Sequence, residues 1–199
     1  MSLEGKKLGL ALTGSFCTFE KAFQAAAELV EAGAEVYPIM SFNAAGISSR
    51  FGTAEENIRR LTGICGRGII RTIEDAEPIG PKKMFDLLAV APCTSNTLAK
   101  LAAGITDTPV TMAVKSHIRN GRPVVIAVST NDALAASGKN IGQLQNYRNY
   151  YFVPYRQDNY AGKPNSAVAD FGRLRETAEA ALEGRQLQPV LLPPAEIRV

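Results

Sequence analysis

Short apolar runs alternate with longer segments of helical periodicity along this chain, and the alternation restricts the folds that it can adopt. Residues 8–12, 35–40 and 86–91 are too short for helices, so we expect buried strands. Residues 19–32 place apolar side chains at helical spacing, and Gly33 stands where a helix commonly ends in the left-handed conformation. The short connection into the second strand favours a parallel crossover.

Predicted helices and strands continue to alternate up to residue 183. Helices are predicted at residues 53–62, 95–102, 110–119, 134–148 and 170–183, and strands at residues 69–72, 123–128 and 150–153. Strands that alternate with helices predict a three-layer α/β fold, in which helices cover both faces of a doubly wound, mostly parallel sheet. We expect one domain over residues 1–188 and a surface or disordered tail over residues 189–199, which contain three prolines.

Charge and composition argue against several classes of protein. The formal net charge is only +3 and the basic residues are scattered, so nucleic-acid binding is not indicated. No run of about 18 apolar residues occurs, so we expect neither a membrane span nor a secretory signal. Cys17, Cys65 and Cys93 are odd in number and show no CxxC spacing, which predicts free thiols, a cytoplasmic location and no metal site.

Small hydroxyl and amide residues follow each of the main predicted strands. In doubly wound sheets, ligands bind outside the carboxyl ends of the strands, so these loops form the candidate site. Four loops have this character and are predicted to converge on one edge of the sheet: residues 13–18 (TGSFCT), 41–43 (SFN), 92–97 (PCTSNT) and 129–132 (STND).

The first of these loops suits a single phosphate group. It lacks the GxGxxG spacing of dinucleotide-binding folds and the lysine of the GxxxxGK phosphate-binding loop. Gly14 and Ser15 instead offer a tight turn, backbone N–H groups and a hydroxyl at a helix start, which predicts a mononucleotide such as FMN. The alternative is that Ser15 and Thr18 only cap the following helix.

The third loop carries a more specific pattern. Residues 91–100 read APCTSNTLAK, and GITD follows at residues 104–107. This stretch resembles the proline, small, small, Asn-Thr signature of the homo-oligomeric flavin-containing cysteine decarboxylase superfamily, which includes phosphopantothenoylcysteine decarboxylase. The resemblance implies a flavodoxin-like, Rossmann-like fold with an FMN site. The candidate cofactor contacts are Gly14, Ser15, Phe16, Ser41, Thr94, Ser95, Asn96, Thr97, Thr106 and Ser129. The alternative is that residues 94–97 serve only as capping and turn residues.

One branch of that superfamily, the B subunits of dipicolinate synthase, is similar over residues 9–171. The matching segments are TGSFC at 13–17, APCTSNT at 91–97, VKSH at 114–117, RN at 119–120, STND at 129–132, and FVP at 152–154 continuing to KP at 163–164. The resemblance implies a homo-oligomer that works in sporulation with a dipicolinate synthase A subunit, which is dehydrogenase-like and could bring NADP. Together they would convert a dihydrodipicolinate precursor to pyridine-2,6-dicarboxylate, with an FMN site that is either retained or vestigial.

The sequence departs from the decarboxylases at positions that matter for chemistry. Those enzymes carry a histidine before the Asn-Thr loop, whereas the single histidine of this chain, His117, comes after it. Of their methionine and asparagine motif, only Asn131 is kept. Oxidation by removal of two hydrogens therefore suits the chain better than decarboxylation, and Asn131 and His117 are the candidate catalytic residues. The alternative for His117 is a structural or surface role near the end of its helix.

Cationic residues near the end of the similar region are candidates for holding the substrate. A dicarboxylate requires positive partners, and Arg156 or Lys163 could form charge-assisted hydrogen bonds with it. The alternative is a solvated loop. Two other functions stay open for the whole chain: an FMN-dependent decarboxylase of a cysteine derivative, and a non-catalytic subunit that binds and orients a dehydrogenase-like partner.

Overall fold

The computed structural model describes residues 2–194, which form a sheet with helices on both faces. The strands are β1 (Lys7–Leu12), β2 (Glu35–Met40), β3 (Leu87–Cys93), β4 (Val124–Thr130), β5 (Tyr150–Phe152), β6 (Tyr155–Arg156) and β7 (Ala167–Ala169). The helices are α1 (Phe19–Glu31), α2 (Phe42–Gly46), α3 (Ala54–Cys65), α4 (Ile73–Ala76), α5 (Ser95–Ala103), α6 (Pro109–Ile118), α7 (Gly138–Asn146) and α8 (Leu174–Leu182). Short 3-10 turns occupy Phe16–Thr18, Glu77–Ile79 and Phe171–Arg173.

Five strands pair in parallel in the order β2-β1-β3-β4-β5, which is the flavodoxin-like order predicted from the family resemblance. The chain moves outward from β1 in one direction to β2, and from β3 in the other direction to β4 and β5. Right-handed crossovers in opposite directions put their helices on opposite faces of the sheet. The order therefore reverses between β1 and β3, and a crevice opens at their carboxyl ends.

Two layers of helices cover the sheet. Helix α1 packs between α3 and α8, while α6 packs against α4 and α5, and α5 against α7. All seven residues of β3 are buried, as are the first six of β4, because a central parallel strand is covered on both faces. These strands are accordingly almost continuous runs of apolar residues, and this makes them recognisable in the sequence.

A short antiparallel hairpin extends the sheet beyond its parallel part. Strand β7 pairs with the end of β4, and β6 pairs with β7. Residue Leu191 adds a bridge beside Tyr155, so the first part of the predicted tail lies against the hairpin. Residues 195–199 of that tail lie outside the described residues. The hairpin places the segment between Arg156 and Ala167 beside the carboxyl ends of the parallel strands.

Two predicted strands differ from the structure. The strand expected at residues 69–72 is reduced to an isolated bridge between Ile39 and Ile70, because α4 begins directly after it. Strand β3 does not stop before Pro92 but runs to Cys93. The register between β3 and β4 shifts there, and this irregularity accommodates a residue that has no N–H to donate.

The helix expected at residues 134–148 begins later than predicted, at Gly138. The preceding residues form turns in which the N–H groups of Ala135 and Ser137 both donate to the carbonyl of Asp132. Helix α2 and the hairpin β6–β7 were not predicted, since neither is long enough to show a period. Among residues 2–194, no helix is long and apolar enough to cross a membrane.

Candidate active site

A cleft of about 1220 Å³ lies at the carboxyl ends of the parallel strands. Its walls come from the loops after β1, β3 and β4, from the loop between α2 and α3, from one side of α1 and from the hairpin β6–β7. The cleft brings together nine of the residues proposed from the sequence: Gly14, Ser15, Phe16, Thr94, Ser95, Ser129, Asn131, Arg156 and Lys163. The crevice at the reversal of strand order is therefore where three of the four predicted loops meet, and residues 41–43 are not among those that line it.

Hydroxyl groups join the loops after β1 and β4 inside this cleft. The Oγ atoms of Ser15 and Ser129 lie 2.8 Å apart. The hydroxyl of Thr18 donates to the carbonyl of Ser15 at 2.8 Å and lies 3.4 Å from the Oγ of Ser129. We call Ser15, Thr18 and Ser129 the hydroxyl cluster. Because a hydroxyl both donates and accepts, the cluster can turn its donors toward an anion without breaking the fold.

A second set of hydroxyls joins the loops after β1 and β3. The hydroxyl of Thr13 donates to the carbonyl of Pro92 at 2.8 Å, and the backbone N–H of Thr94 donates to the Thr13 oxygen at 3.0 Å. The hydroxyl of Thr94 lies 3.3 Å from that of Thr97. These bonds fix the start of α5 next to the first loop, so both helix starts face the same crevice.

The helix starts at the cleft differ from those of α2, α3, α4 and α6. Neither Ser15, which precedes the 3-10 turn leading into α1, nor Thr94, which precedes α5, accepts a hydrogen bond from the first helical turn with its side chain. Four helices away from the cleft begin with a hydroxyl side chain that does accept such a bond: Ser41, Thr53, Thr72 and Thr108. The first N–H groups at the cleft therefore remain available to a bound anion.

Two of the cleft's carboxylates are engaged by the hairpin itself. Asp170 accepts from the Nη2 of Arg156 at 2.8 Å, and both side chains are about one-third exposed. Asp158 accepts from the hydroxyl of Ser166. Because a guanidinium carries five N–H donors, Arg156 keeps donors for another anion while the Asp170 pair orients it.

A third carboxylate, Asp132, stands next to Asn131 at the end of β4. Its Oδ1 accepts from the hydroxyl of Ser137 at 2.9 Å and also from the hydroxyl of Thr130. These bonds hold the turn that presents the exposed amide of Asn131 to the cleft. Asp132 was not proposed from the sequence as a site residue, although the STND segment that contains it was part of the predicted site.

Three cations of the cleft have no carboxylate partner among residues 2–194. They are Lys21 on α1, Arg50 in the loop between α2 and α3, and Lys163 in the hairpin. The lining also contains four carboxylates, Glu28, Asp132, Asp158 and Asp170, so its formal charges balance. An anionic ligand would therefore be held by local contacts with these cations. Lys21 and Arg50 were not proposed from the sequence, because nothing in their spacing places them near the strand ends.

Four of the proposed cofactor contacts lie outside the residues that line the cleft. Ser41 accepts from the N–H of Ala44 at 3.2 Å and so begins α2. Thr97 is buried beneath Thr94, and Asn96 is exposed on the first turn of α5. Thr106 lies in the loop after α5, beyond that helix from the crevice. Each of these residues lies in a helix or in the loop before one, and that helix directs its side chain away from the cleft.

His117 also lies outside the residues that line the cleft, so the structure does not bring it together with the other proposed site residues. It is buried on α6, and its Nε2 donates to the carbonyl of Pro123 at 3.0 Å. Burial lowers the pKa of His117 to about 4, against the smaller opposing effect of that hydrogen bond. The imidazole is therefore neutral at physiological pH and connects α6 to the strand that follows it.

The cysteines and other metal-binding residue types form no cluster in the described part of the chain. Among residues 2–194, no three or more His, Cys, Asp or Glu side chains are grouped to hold a metal ion. Cys17, Cys65 and Cys93 are all free thiols. Burial raises the pKa of Cys93 far above its ordinary value, and it raises that of Cys65 to about 11, so both stay protonated.

Comparison with known proteins supports the same fold. The sequence profile of the flavoprotein family matches residues 1–176. The B subunit of dipicolinate synthase from Bacillus subtilis (strain 168) is 46% identical over 191 residues, covering 96% of each chain. A crystal structure of the corresponding B subunit from Bacillus halodurans C superposes with a TM-score of 0.89 at 44% identity, covering 96% of this chain and 98% of that one.

More distant similarities extend the comparison. The coenzyme A biosynthesis bifunctional protein CoaBC of Thermococcus kodakarensis is 30% identical over an alignment of 193 positions, which covers 93% of this chain and 45% of that protein. The FMN-dependent cysteine decarboxylase SpaF shares the fold with a TM-score of 0.68 at 23% identity, covering 92% of this chain and 98% of that one.

Proposed function

This chain belongs to the flavoprotein family, and from that premise we propose that its cleft binds FMN and that the protein acts as the B subunit of a dipicolinate synthase. The observation that carries the proposal is the meeting of two uncapped helix starts and the hydroxyl cluster at the reversal of strand order. The similarity to the Bacillus subtilis dipicolinate synthase chain over 96% of this chain supports the choice of reaction.

The residues at the two helix starts fit the phosphate of FMN. Ser15 and Ser129 supply hydroxyl donors, and the first turns after Ser15 and Thr94 supply N–H groups that no side chain caps. Anions are also favoured at helix starts by the helix dipole. When bound, FMN supplies an acceptor for two electrons. The protein contributes the position of that acceptor.

The cationic residues of the hairpin fit the substrate class. Aromatisation of a dihydrodipicolinate to pyridine-2,6-dicarboxylate removes two hydrogens from a ring that carries two carboxylates. Arg156, oriented by Asp170, and Lys163 would bind carboxylate oxygens through charge-assisted hydrogen bonds. Asn131 would orient the ring, since its amide can both donate and accept. These groups position the substrate, and positioning can lower the activation barrier by several kcal/mol.

Partner and location follow from the same resemblance. The Bacillus subtilis relative is the B subunit of its synthase, and we expect a dehydrogenase-like A subunit that binds NADP. We also expect the chain to form homo-oligomers, to act during sporulation and to work in the cytoplasm, where its three free thiols stay reduced.

A decarboxylase of a cysteine derivative is the rival enzymatic function. It is less well supported, because the single histidine of the chain is buried on α6 and away from the cleft. A non-catalytic role in binding the partner is the other rival. It predicts that substitutions in the hydroxyl cluster leave the activity of the assembled synthase unchanged.

The proposal is tested by assaying oxidation of dihydrodipicolinate with this chain alone, with the A subunit alone and with both together. Ser15→Ala and Ser129→Ala remove donors from the hydroxyl cluster, while Thr72→Ala removes a hydroxyl that caps α4 far from the cleft. We expect each cluster variant to lower the activity of the mixture by at least about tenfold. The Thr72 variant should keep full activity.

Two results would contradict the proposal. Full activity of the A subunit alone would make this chain dispensable for the reaction. Undiminished activity of a Ser15→Ala, Ser129→Ala double variant would remove the hydroxyl cluster from the site and favour the non-catalytic role.

A further inference from the structure

The loop between α2 and α3 ends in a tip that projects into the cleft and that the proposed function does not use. The tip consists of Arg50 and Phe51, which both line the cleft. The guanidinium of Arg50 lies over the ring of Phe51, 4.8 Å from its centroid. Phe51 is 49% exposed, and Arg50 pairs with no carboxylate of residues 2–194.

Backbone hydrogen bonds hold this tip in place. Ser49 and Gly52 exchange two of them, at 3.0 and 3.1 Å, and the Ser49 hydroxyl accepts from the N–H of Phe51 at 3.1 Å. On the far side, Thr53 and Glu56 form a reciprocal cap that fixes the start of α3. Because the tip is fixed at both ends, it loses little conformational entropy when a ligand binds to Arg50 and Phe51.

The tip and the hairpin cations approach the cleft from different ends of the sheet. The tip follows β2, which stands at one end of the strand order, while Arg156 and Lys163 belong to the hairpin beyond β4 at the other end. A volume of about 1220 Å³ exceeds the upper range of about 1,000 Å³ for a pocket that holds one small ligand. The cleft thus has room for a cofactor with a second ligand beside it.

We propose that Arg50 and Phe51 form a receptor for the second carboxylate and the flat ring of a planar dicarboxylic acid. A guanidinium binds a carboxylate through two parallel N–H donors, and an exposed aromatic ring offers a face or edge to another ring. One carboxylate would then contact Arg50, and the other would face the interior of the cleft. This inference rests on the proposed function, since it names the part of the same cleft that distinguishes a dicarboxylate from a monocarboxylate.

The test is calorimetric titration of the protein with pyridine-2,6-dicarboxylate and with pyridine-2-carboxylate, as purified and again with added FMN. We expect the wild type to bind the dicarboxylate at least about tenfold more tightly than the monocarboxylate. Arg50→Gln should abolish this preference, and Arg50→Lys should retain part of it, because an ammonium lacks the paired donors. Phe51→Leu should weaken the binding of both acids to a similar extent.

The matched control is Arg59→Gln, which removes an exposed arginine that pairs with Glu55, at 3.8 Å, on the surface of α3. It should bind both acids as the wild type does. If Arg50→Gln keeps both the affinity and the preference of the wild type, the inference is overturned while the proposed function stands. If the wild type binds neither acid with or without FMN, the proposed function and the inference fall together.

Discussion

The buried histidine makes the stability of this protein depend on pH in a window that can be calculated. The unperturbed pKa of His117 is 6.5, and burial lowers the pKa to about 4 in the folded protein. The nearby Arg122 lowers it further, while the hydrogen bond to Pro123 and the carboxylate of Asp86 oppose the shift. Below about pH 6.5 the unfolded chain therefore binds a proton that the folded chain does not, so stability falls as the pH falls.

The size of the effect follows from the two pKa values. The difference between the ordinary pKa of 6.5 and the folded pKa of about 4 corresponds to about 3 kcal/mol when the pH lies below both values. Between about pH 8 and about pH 5 the loss is about 2 kcal/mol. The pKa values of Glu20, Glu56 and Asp107 are lowered from ordinary values of 4.5 or below, so their contributions are lost only in more acidic solution. The pH dependence of stability between about pH 8 and about pH 5 should therefore come mainly from His117.

The assay is urea unfolding followed by circular dichroism, because the chain has no tryptophan. The wild type should lose stability steadily from pH 7 to pH 5. His117→Gln keeps an N–H donor for the carbonyl of Pro123 but cannot titrate, so its stability should be nearly flat over the same range. Parallel pH profiles for the two proteins would show that the folded pKa is not lowered, and the reasoning about burial would be refuted.

Three further substitutions test the packing of the fold away from the cleft. Gly80→Ala should destabilise the fold by about 1–3 kcal/mol, since a Cβ there would lie 2.5 Å from the carbonyl oxygen of Ser116 on α6. Gly63→Ala should instead stabilise the fold by about 0.5–1 kcal/mol, because the space around Gly63 on the surface of α3 is open. Gln186→Ala should cost about 1–3 kcal/mol, because its amide bonds both the N–H and the carbonyl of Phe152 at 2.7 Å along the outer edge of β5. Urea unfolding measures all three variants, and a neutral result for Gly80→Ala or Gln186→Ala would contradict the corresponding contact.

Much of the parallel sheet could be predicted from the sequence because its strands are buried on both faces. Residues 86–91 read as an apolar strand for this reason, and the carboxyl ends of parallel strands must meet at one edge. This is why Ser15, Thr94 and Ser129 were expected together before their contacts were known.

Other parts of the site depend on contacts that no local pattern encodes. The hairpin strands have only two and three residues, which is too short for alternation to appear. The place of Arg50 is decided by the one-turn helix α2 and by the bonds between Ser49 and Gly52. His117 lies in the last turn of α6, as expected from the sequence, but its burial depends on tertiary packing that no local pattern encodes.

The affinity of the purified protein for FMN compared with riboflavin, followed through the fluorescence of the flavin itself, tests the phosphate site most directly. The two ligands share the ring system and differ by the phosphate assigned to the hydroxyl cluster and the uncapped helix starts. We predict that FMN binds at least about tenfold more tightly, since each hydrogen bond to a charged group contributes about 1.5–3 kcal/mol. Ser15→Ala should reduce the difference between the affinities for FMN and riboflavin. Equal affinity for the two flavins, or no binding of either, would contradict the assignment of this crevice as a phosphate site.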